Sequence, residues 1–152
     1  MSYYFEDIET GAAERFGSYT VERDEVIDFA TKYDPQPFHL SDEAAALTHF
    51  GRVAASGWHT CGMMMAMFVA HMQGHPERQK ASLGAVGVDE VRWLQPCYPG
   101  DVLRCEAEVV EKIPSRSRPE MGIVKTKVTV FNQRDEPVMT LKPITMCRTR
   151  PI

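Results

Sequence analysis

Two prolines separate one carboxylate from one imidazole in the segment Tyr33–His39. Asp34 and His39 lie five positions apart, and Pro35 and Pro37 each restrict the backbone between them. A rigid, non-helical bend of this length can turn both side chains to the same side. An acid–base pair requires such fixed placement, because the two groups must hold their geometry at the reacting atoms. The alternative is a structural proline turn, in which Asp34 caps a backbone amide and His39 is half-exposed.

A serine–glycine pair at the start of an apolar segment is the second candidate for chemistry. Ser56 is a suitable helix N-cap, and Gly57 allows another group to approach the backbone closely. Free N–H groups at the start of such a helix, where the dipole is positive, could hold an oxyanion. Ser56 would cap the helix in either case, so a purely structural role is the alternative. A nucleophilic role for Ser56 is not predicted, because the GxSxG pattern is absent.

Neither a metal site nor a cofactor is predicted. His39, His49 and His59 recur at intervals of ten residues, but nothing in that spacing brings ligands onto one face. No cysteine or carboxylate spacing completes a known metal cluster. The sequence also lacks a glycine-rich phosphate loop and a dinucleotide-binding fingerprint, which disfavours enzymes that use ATP or NAD.

Helices are expected to carry both candidates. From Thr20, the expected N-cap, apolar positions at helical spacing reach Tyr33, and the prolines that follow must end this helix. Ser41 is the expected N-cap of a short helix that Gly51 ends. Residues 58–72 include 11 apolar residues among 15, which predicts a helix that needs burial on most of its surface. At about 22 Å this helix is shorter than a bilayer core of about 30 Å, so we expect no membrane span.

The second half of the sequence predicts an antiparallel sheet, to which a short strand at about residues 12–20 is added. Alternating or apolar runs separated by turns give the strand candidates Val88–Leu94, Val102–Val109, Val124–Val130 and Pro137–Cys147. Pro143, inside the last run, suggests a bulge or an edge strand. A sheet that curls around the apolar helix would bury it. The predicted fold class is therefore α+β, with an antiparallel sheet wrapped around a long central helix.

Composition predicts a globular chain with a single domain over residues 1–152. Hydrophobic residues make up 43% and charged residues 25%, which is ordinary for a chain that builds a core. The net charge of −4 disfavours a nucleic-acid binder that relies on positive charge. The start of the chain lacks the basic and apolar regions of a signal peptide. The four cysteines are expected to be free buried thiols, which fits a cytoplasmic location.

Four short motifs follow one another along most of the chain. The pattern DxxPxH at residues 34–39 comes first, and Ala54–Gly57 opens the apolar helix. Pro99–Asp101 precedes a strand, and Arg116–Pro119 lies between strands. In this order the motifs resemble those of the MaoC-like dehydratases, which are relatives of the R-specific enoyl-CoA hydratases. Gln36 stands where members of that family commonly have asparagine, and the longer amide changes the reach of a hydrogen bond to the acid–base pair.

The resemblance implies a hotdog fold and at least a homodimer whose sheets join edge to edge. It implies that Asp34 and His39 are the catalytic pair, that the Gly57 N–H is the oxyanion donor, and that Ser56 lies beside it in the substrate-binding segment. The implied reaction is the reversible, (R)-specific hydration of a trans-2-enoyl-CoA to a 3-hydroxyacyl-CoA, with acyl-CoA as substrate and no cofactor. The alternatives are an acyl-CoA thioesterase on the same fold, which would release a thiol, and a non-catalytic acyl-CoA-binding domain, which would be insensitive to Asp34→Asn.

Overall fold

Five strands and four α-helices make up the part of the chain that the computed structural model describes, residues 2–152. In chain order these are β1 (Ala13–Thr20), α1 (Arg23–Tyr33), α2 (Asp42–Ala45), α3 (Gly57–Gln73), α4 (Pro76–Ala81), β2 (Ser82–Trp93), β3 (Val102–Pro114), β4 (Met121–Phe131) and β5 (Pro137–Arg148). Short 3-10 helices occupy Phe5–Asp7 and Pro37–His39. Met1 lies outside the described residues, and the single domain over residues 1–152 stays a prediction.

The strands form one antiparallel sheet in the order β1-β3-β4-β5-β2. Cys105 of β3 lies opposite Val130 of β4, and Val130 lies opposite Met139 of β5. All three side chains are buried, because alternate residues of each strand point to the same face of the sheet. The long helix α3 packs on this face and adds Met63, Met64 and Met67 to the same core. The predicted sheet around a central helix is confirmed.

The central helix α3 buries only one side. Its methionines at positions 63, 64, 67 and 72 are buried. Trp58, Met65 and Val69 are exposed instead, and Val86 and Val88 of the edge strand β2 are exposed as well. The expected burial of most of the helix surface is therefore not reached within one chain. None of the helices described between residues 2 and 152 is long and apolar enough to cross a membrane.

The start of α1 differs from the prediction. Thr20 is not an N-cap but the last residue of β1, where it pairs with Val102 of β3. Helix α1 begins at Arg23, and its N-cap Glu22 makes no capping hydrogen bond through its side chain. Pairing with the neighbouring strand thus overrides the local capping preference of threonine.

The short helix α2 begins as predicted and ends earlier. The Ser41 hydroxyl accepts a hydrogen bond from the Ala44 N–H at 3.2 Å, which confirms the N-cap. The helix ends at Ala45 rather than at Gly51. Gly51 lies at the end of the turns that follow, where its positive φ of 75° suits glycine, and its N–H still bonds to the Ala45 carbonyl.

The proline inside β5 occupies an interior strand, so the suggestion of an edge strand is wrong. Pro143 lies opposite Val88 of β2, and β5 keeps one register with β4 on both sides of the proline. The suggested irregularity is found in the partner strand β2, whose pairing with β5 shifts register on both sides of Val88. The irregular pairing of the edge strand therefore accommodates the missing backbone N–H of Pro143.

A tight turn after β2 shapes the region that faces the start of α3. The Asp101 N–H bonds to the Tyr98 carbonyl at 3.0 Å, the Asp101 carboxylate accepts the Tyr98 N–H at 2.9 Å, and Gly100 takes a φ of 95°. The Tyr98 hydroxyl donates to the Phe50 carbonyl at 2.7 Å. The turn thereby fixes the segment before β3 against the segment that leads into α3.

Candidate active site

A pocket of about 460 Å³ opens where the end of α1, the start of α3 and the segment after β2 meet. Its polar lining consists of Asp34, Gln36, His39, His49, Thr60 and Gln95. Its other lining residues are Phe50, Ala55, Gly57, Trp58, Trp93, Leu94, Pro96 and Cys97. The structure thus brings Asp34, His39 and Gly57 to one pocket, and Ser56 lies directly beside it.

Asp34 follows the last residue of α1, and its N–H donates to the Ala30 carbonyl at 2.9 Å. Its carboxylate accepts hydrogen bonds from the Ser56 hydroxyl and from the Gln36 side-chain amide, both at 2.7 Å. Partial burial raises the pKa of Asp34, but these two hydrogen bonds and the nearby His39 outweigh it and hold the pKa below its usual value. Asp34 is therefore ionised at neutral pH and caps no backbone amide.

His39 is buried, with 5% of its surface exposed, so the half-exposed alternative is wrong. Its Nδ1 lies 2.6 Å from the carbonyl oxygen of Ala54. Because a carbonyl oxygen can only accept, Nδ1 carries the proton, so Nε2 is the acceptor when the ring is neutral. Nε2 faces the Asp34 carboxylate at 3.5 Å.

Asp34 and His39 form two acceptors side by side at the pocket wall. Their separation of 3.5 Å is longer than an ordinary hydrogen bond. A water molecule at the pocket wall could donate one hydrogen to the carboxylate and the other to the imidazole. A pair with this geometry can take a proton from bound water and hold it nearby, which is general acid–base chemistry.

Ser56 is fully buried and serves both α3 and Asp34. Its hydroxyl oxygen accepts the Trp58 N–H at 3.3 Å, so it caps the helix as predicted. Its hydroxyl hydrogen is donated to Asp34 at 2.7 Å. The purely structural alternative is therefore incomplete, because the same hydroxyl also orients the carboxylate.

Ser56→Ala is expected to change how the free energy of unfolding depends on pH. Because the folded pKa of Asp34 is below the unfolded value, its ionisation stabilises the fold above the unfolded pKa, and this stability is lost as pH falls through the folded pKa. Removing the Ser56 hydrogen bond raises the folded pKa, so unfolding should depend less on pH below about 5. Loss of the cap should also cost about 1 kcal/mol at neutral pH. Urea unfolding between about pH 3 and 7 measures both effects.

Ser41→Ala is the matched control, because it removes the N-cap of α2 without contact to Asp34. We expect it to lower the free energy of unfolding by a similar amount with the wild-type pH dependence. Equal pH dependence in the two serine variants would contradict the assigned role of Ser56.

Gly57 supplies the free donor in the first turn of α3. The Trp58 N–H bonds to the Ser56 hydroxyl, and the His59 N–H bonds to the Ser56 carbonyl at 2.9 Å. The Gly57 N–H has no partner among the hydrogen bonds of residues 2–152, and Gly57 lines the pocket. The positive end of the helix dipole adds to its strength as a donor. This N–H is suited to hold a developing oxyanion.

Trp93 is a residue of this site that the sequence analysis missed. Its indole N–H donates to the Gly57 carbonyl at 2.9 Å, across 36 positions of the sequence. A Cβ atom added to Gly57 would overlap the Trp93 indole ring, so only glycine fits beneath it. No local pattern around Trp93 signals this contact, since it depends on how β2 and α3 meet.

Gly57→Ala is expected to push the Trp93 ring away and to shift the peptide that carries the free N–H. We expect turnover to fall by on the order of 10²-fold, since a displacement of about 1 Å at a reacting centre has effects of that size. Steady-state kinetics on a trans-2-enoyl-CoA, the substrate that the resemblance implies, measure the rate. Tryptophan fluorescence, to which both Trp58 and Trp93 contribute, reports the displaced ring. Gly62→Ala is the control in the same helix, because its Cβ would meet no atom within 4 Å. A normal rate for Gly57→Ala would contradict the assignment of the donor.

The aromatic and methionine side chains of α3 differ in their position relative to the pocket. Trp58 lines the pocket, whereas Phe68 packs in the core, where its ring lies 6.3 Å from that of Phe16. None of the methionines in residues 2–152 lines this pocket. The longer amide of Gln36 does reach the acid–base pair. In the same part of the chain no three His, Cys, Asp or Glu side chains are arranged to hold a metal ion.

Residues 8–132 match the family model described as a MaoC-like domain. A 3-hydroxybutyryl-CoA dehydratase from Methylorubrum extorquens is 32% identical over 121 residues, which cover 78% of this chain and 71% of that protein. The match to the family model begins before α1 and extends through β4, so it includes all the residues of the candidate site.

Solved structures resemble the whole chain. A MaoC-like dehydratase from Rhodospirillum rubrum has a TM-score of 0.85 and 33% identity, and the match covers 99% of this chain and 100% of that chain. A protein from Archaeoglobus, described as a monoamine oxidase regulatory protein, has a TM-score of 0.88 and 30% identity, with 99% and 97% covered. A double hotdog protein from Mycobacterium tuberculosis shares the fold with a TM-score of 0.73 at 20% identity, over 99% of this chain and 45% of that one. The predicted hotdog fold is confirmed.

Proposed function

Because the chain belongs to the MaoC-like domain family, we propose that it catalyses the reversible, (R)-specific hydration of a trans-2-enoyl-CoA to a 3-hydroxyacyl-CoA. The observation that carries this proposal is the pair of acceptors, Asp34 and His39, beside the free N–H of Gly57. Such a site can move a proton to and from water and stabilise negative charge on a nearby oxygen. Both abilities are needed to add water to an enoyl thioester.

In the first step, Asp34 and His39 hold one water molecule at C3 of the enoyl group. The water oxygen bonds to C3 while one of the two residues takes a proton from it. The electron pair of the C2–C3 double bond moves to C2 and onto the thioester oxygen, which becomes an enolate. General base assistance of this kind contributes about 10²–10⁴-fold in rate.

In the second step, the enolate collapses, and C2 takes a proton from the acid–base pair, which regenerates the starting state. The Gly57 N–H donates to the thioester oxygen while it carries negative charge. One such preorganised donor contributes about 10²–10³-fold in turnover. The pair gains one proton from the water in the first step and gives one to C2 in the second, so the proposed reaction uses no cofactor.

The proposed assembly is a homodimer or a higher homo-oligomer, which binds acyl-CoA and neither nucleic acid nor membrane. Support comes from the exposed apolar residues of α3 and of the edge strand β2, where a second copy could continue the sheet. Fatty-acid metabolism in the cytoplasm is the setting that we propose for this activity. Sedimentation equilibrium that gives the mass of a single chain would contradict the oligomer.

The decisive experiment mixes the purified protein with crotonyl-CoA and follows the ultraviolet absorbance of the enoyl thioester, with a thiol reagent in a parallel sample. Hydration is expected to remove the enoyl absorbance without releasing free CoA. Chiral analysis of the 3-hydroxybutyryl product should give the (R) form.

The other outcomes point to the other functions. Release of thiol would reject hydration in favour of an acyl-CoA thioesterase on the same fold. If a series of enoyl-CoA chain lengths gives neither signal but acyl-CoA raises the melting temperature, the protein is a binding domain without catalysis.

A further inference from the structure

A second cluster of ionisable side chains lies outside the pocket and joins three elements of the fold. His59 Nε2 of α3 lies 2.9 Å from the Glu25 carboxylate of α1, and the same carboxylate accepts the Tyr19 hydroxyl of β1. The hydrogen bonds from Tyr19 and His59 hold the pKa of Glu25 below its usual value despite partial burial. Glu25 is therefore ionised at neutral pH, and the Tyr19–Glu25–His59 cluster persists there.

Packing alone does not explain why residue 59 is a histidine. Its ring is 4% exposed and stacks on Phe29, with centroids 4.8 Å apart and planes 8° from parallel. Its Nδ1 is buried without a hydrogen-bond partner among the described residues. An unsatisfied buried nitrogen is unfavourable, so a phenyl ring would fill the same stack at lower cost. The imidazole at this position therefore indicates a role for its hydrogen bond to Glu25.

Helix α1 depends on this bond because it has a small apolar contact with the body of the protein. Val26 and Ala30 are its only buried residues. Asp34 follows directly after α1, and its backbone N–H is tied to the Ala30 carbonyl. Any shift of α1 on α3 therefore displaces the Asp34 carboxylate relative to its partners.

Two side-chain hydrogen bonds join the two ends of α1 to the start of α3. Asp34 bonds to the Ser56 hydroxyl at one end of α1, and Glu25 bonds to His59 near the other end. The His59 N–H bonds to the Ser56 carbonyl at 2.9 Å, so one rigid helical turn holds both ends. His39 is held separately, by the Ala54 carbonyl.

We propose that Glu25 and His59 are positioning residues, which fix α1 on α3 and so set the separation of Asp34 and His39. This inference rests on the proposed hydration activity. A displacement of the carboxylate by about 1 Å is enough to lower the rate by on the order of 10²-fold.

The test compares Glu25→Gln and His59→Phe with Glu14→Gln in the full-length protein. Glu14 is the control, because its carboxylate bonds to His71 of α3 at 3.2 Å and to Arg78 at 2.6 Å, and it lies outside the pocket. We expect both cluster variants to lower kcat for crotonyl-CoA hydration by about 10–10²-fold with KM nearly unchanged. Glu14→Gln should keep the wild-type kcat. His59→Gln, whose amide can still donate to Glu25, should recover part of the loss.

A second readout needs no substrate and separates this inference from the proposed function. In protein labelled with ¹⁵N-histidine, the Nε2 resonance of His39 reports the distance to the Asp34 carboxylate, and the His39→Asn variant identifies it. We expect this resonance to move in Glu25→Gln and to stay in place in Glu14→Gln. Glu25→Gln decides the matter if His59→Phe does not fold, because the Glu25 side chain is 44% exposed. An unmoved His39 resonance, or equal losses of kcat in Glu25→Gln and Glu14→Gln, would overturn the positioning role.

Discussion

Asp34→Asn is expected to lower kcat for the hydration of crotonyl-CoA by about 10²–10⁴-fold while the fold stays intact. An amide cannot take a proton from water at neutral pH, whereas the Asp34 carboxylate is held ionised by its Ser56 and Gln36 partners. The amide oxygen can accept only part of this donor set, and its NH₂ group must face another donor. We therefore expect a loss of about 1 kcal/mol in the free energy of unfolding. Enoyl absorbance gives the rate, and urea unfolding gives the stability.

Asp28→Asn is the control for charge and helix in this experiment. Asp28 lies in α1, the helix that Asp34 directly follows. It is exposed and lies outside the pocket, so this variant should keep the wild-type rate. If Asp34→Asn also turned over within a few-fold of wild type, water activation by Asp34 would be refuted. If both variants lost activity equally, the loss would come from the charge of α1 rather than from Asp34.

The loop that carries the acid–base pair could be predicted from the sequence, because the residues that shape it are adjacent in the chain. The two prolines end α1 and start the 3-10 helix Pro37–His39, so both side chains emerge from backbone with little freedom. Ser56 was readable as a cap for the same reason, since capping depends on the next few residues. The alternating runs likewise predicted the strands β3 and β4, in which Cys105 and Val130 are buried opposite each other.

Contacts between segments that are distant in the sequence could not be predicted from local patterns. The hydroxyl of Ser56 reaches Asp34 across 22 positions, and the Ala54 carbonyl orients His39 across 15. Both bonds form only when α1 and α3 dock. Thr20 shows the reverse case, in which strand pairing overrides a local preference. Thr20 is a good N-cap by residue type, but it pairs with Val102 of β3 instead.

The exposed side of α3 could not be predicted from local patterns either. Hydrophobic pattern alone predicts burial, but it cannot say whether the cover comes from the same chain or from a second copy. Trp58 and Met65 remain exposed in the single chain. Their exposure is what the proposed oligomer would remove.

His39 requires two variants, because removing its ring takes away both a proton acceptor and a structural bond. His39→Ala loses the hydrogen bond from Nδ1 to the Ala54 carbonyl and leaves a cavity at a site that is 5% exposed. The unpaired carbonyl and the cavity together should cost about 2–4 kcal/mol of the free energy of unfolding. A rate loss in this variant alone could therefore reflect a disturbed fold.

His39→Asn separates the two roles, since its side-chain NH₂ can take the place of Nδ1 toward Ala54 while nothing replaces Nε2 beside Asp34. We expect it to keep most of the stability that His39→Ala loses and still to lower kcat by about 10²–10⁴-fold. His75→Asn, outside the pocket, should retain the wild-type rate. Enoyl absorbance and urea unfolding measured on all three variants decide the matter. Restored turnover in His39→Asn would mean that the ring serves only to hold the loop, and Asp34 would then have to move both protons alone.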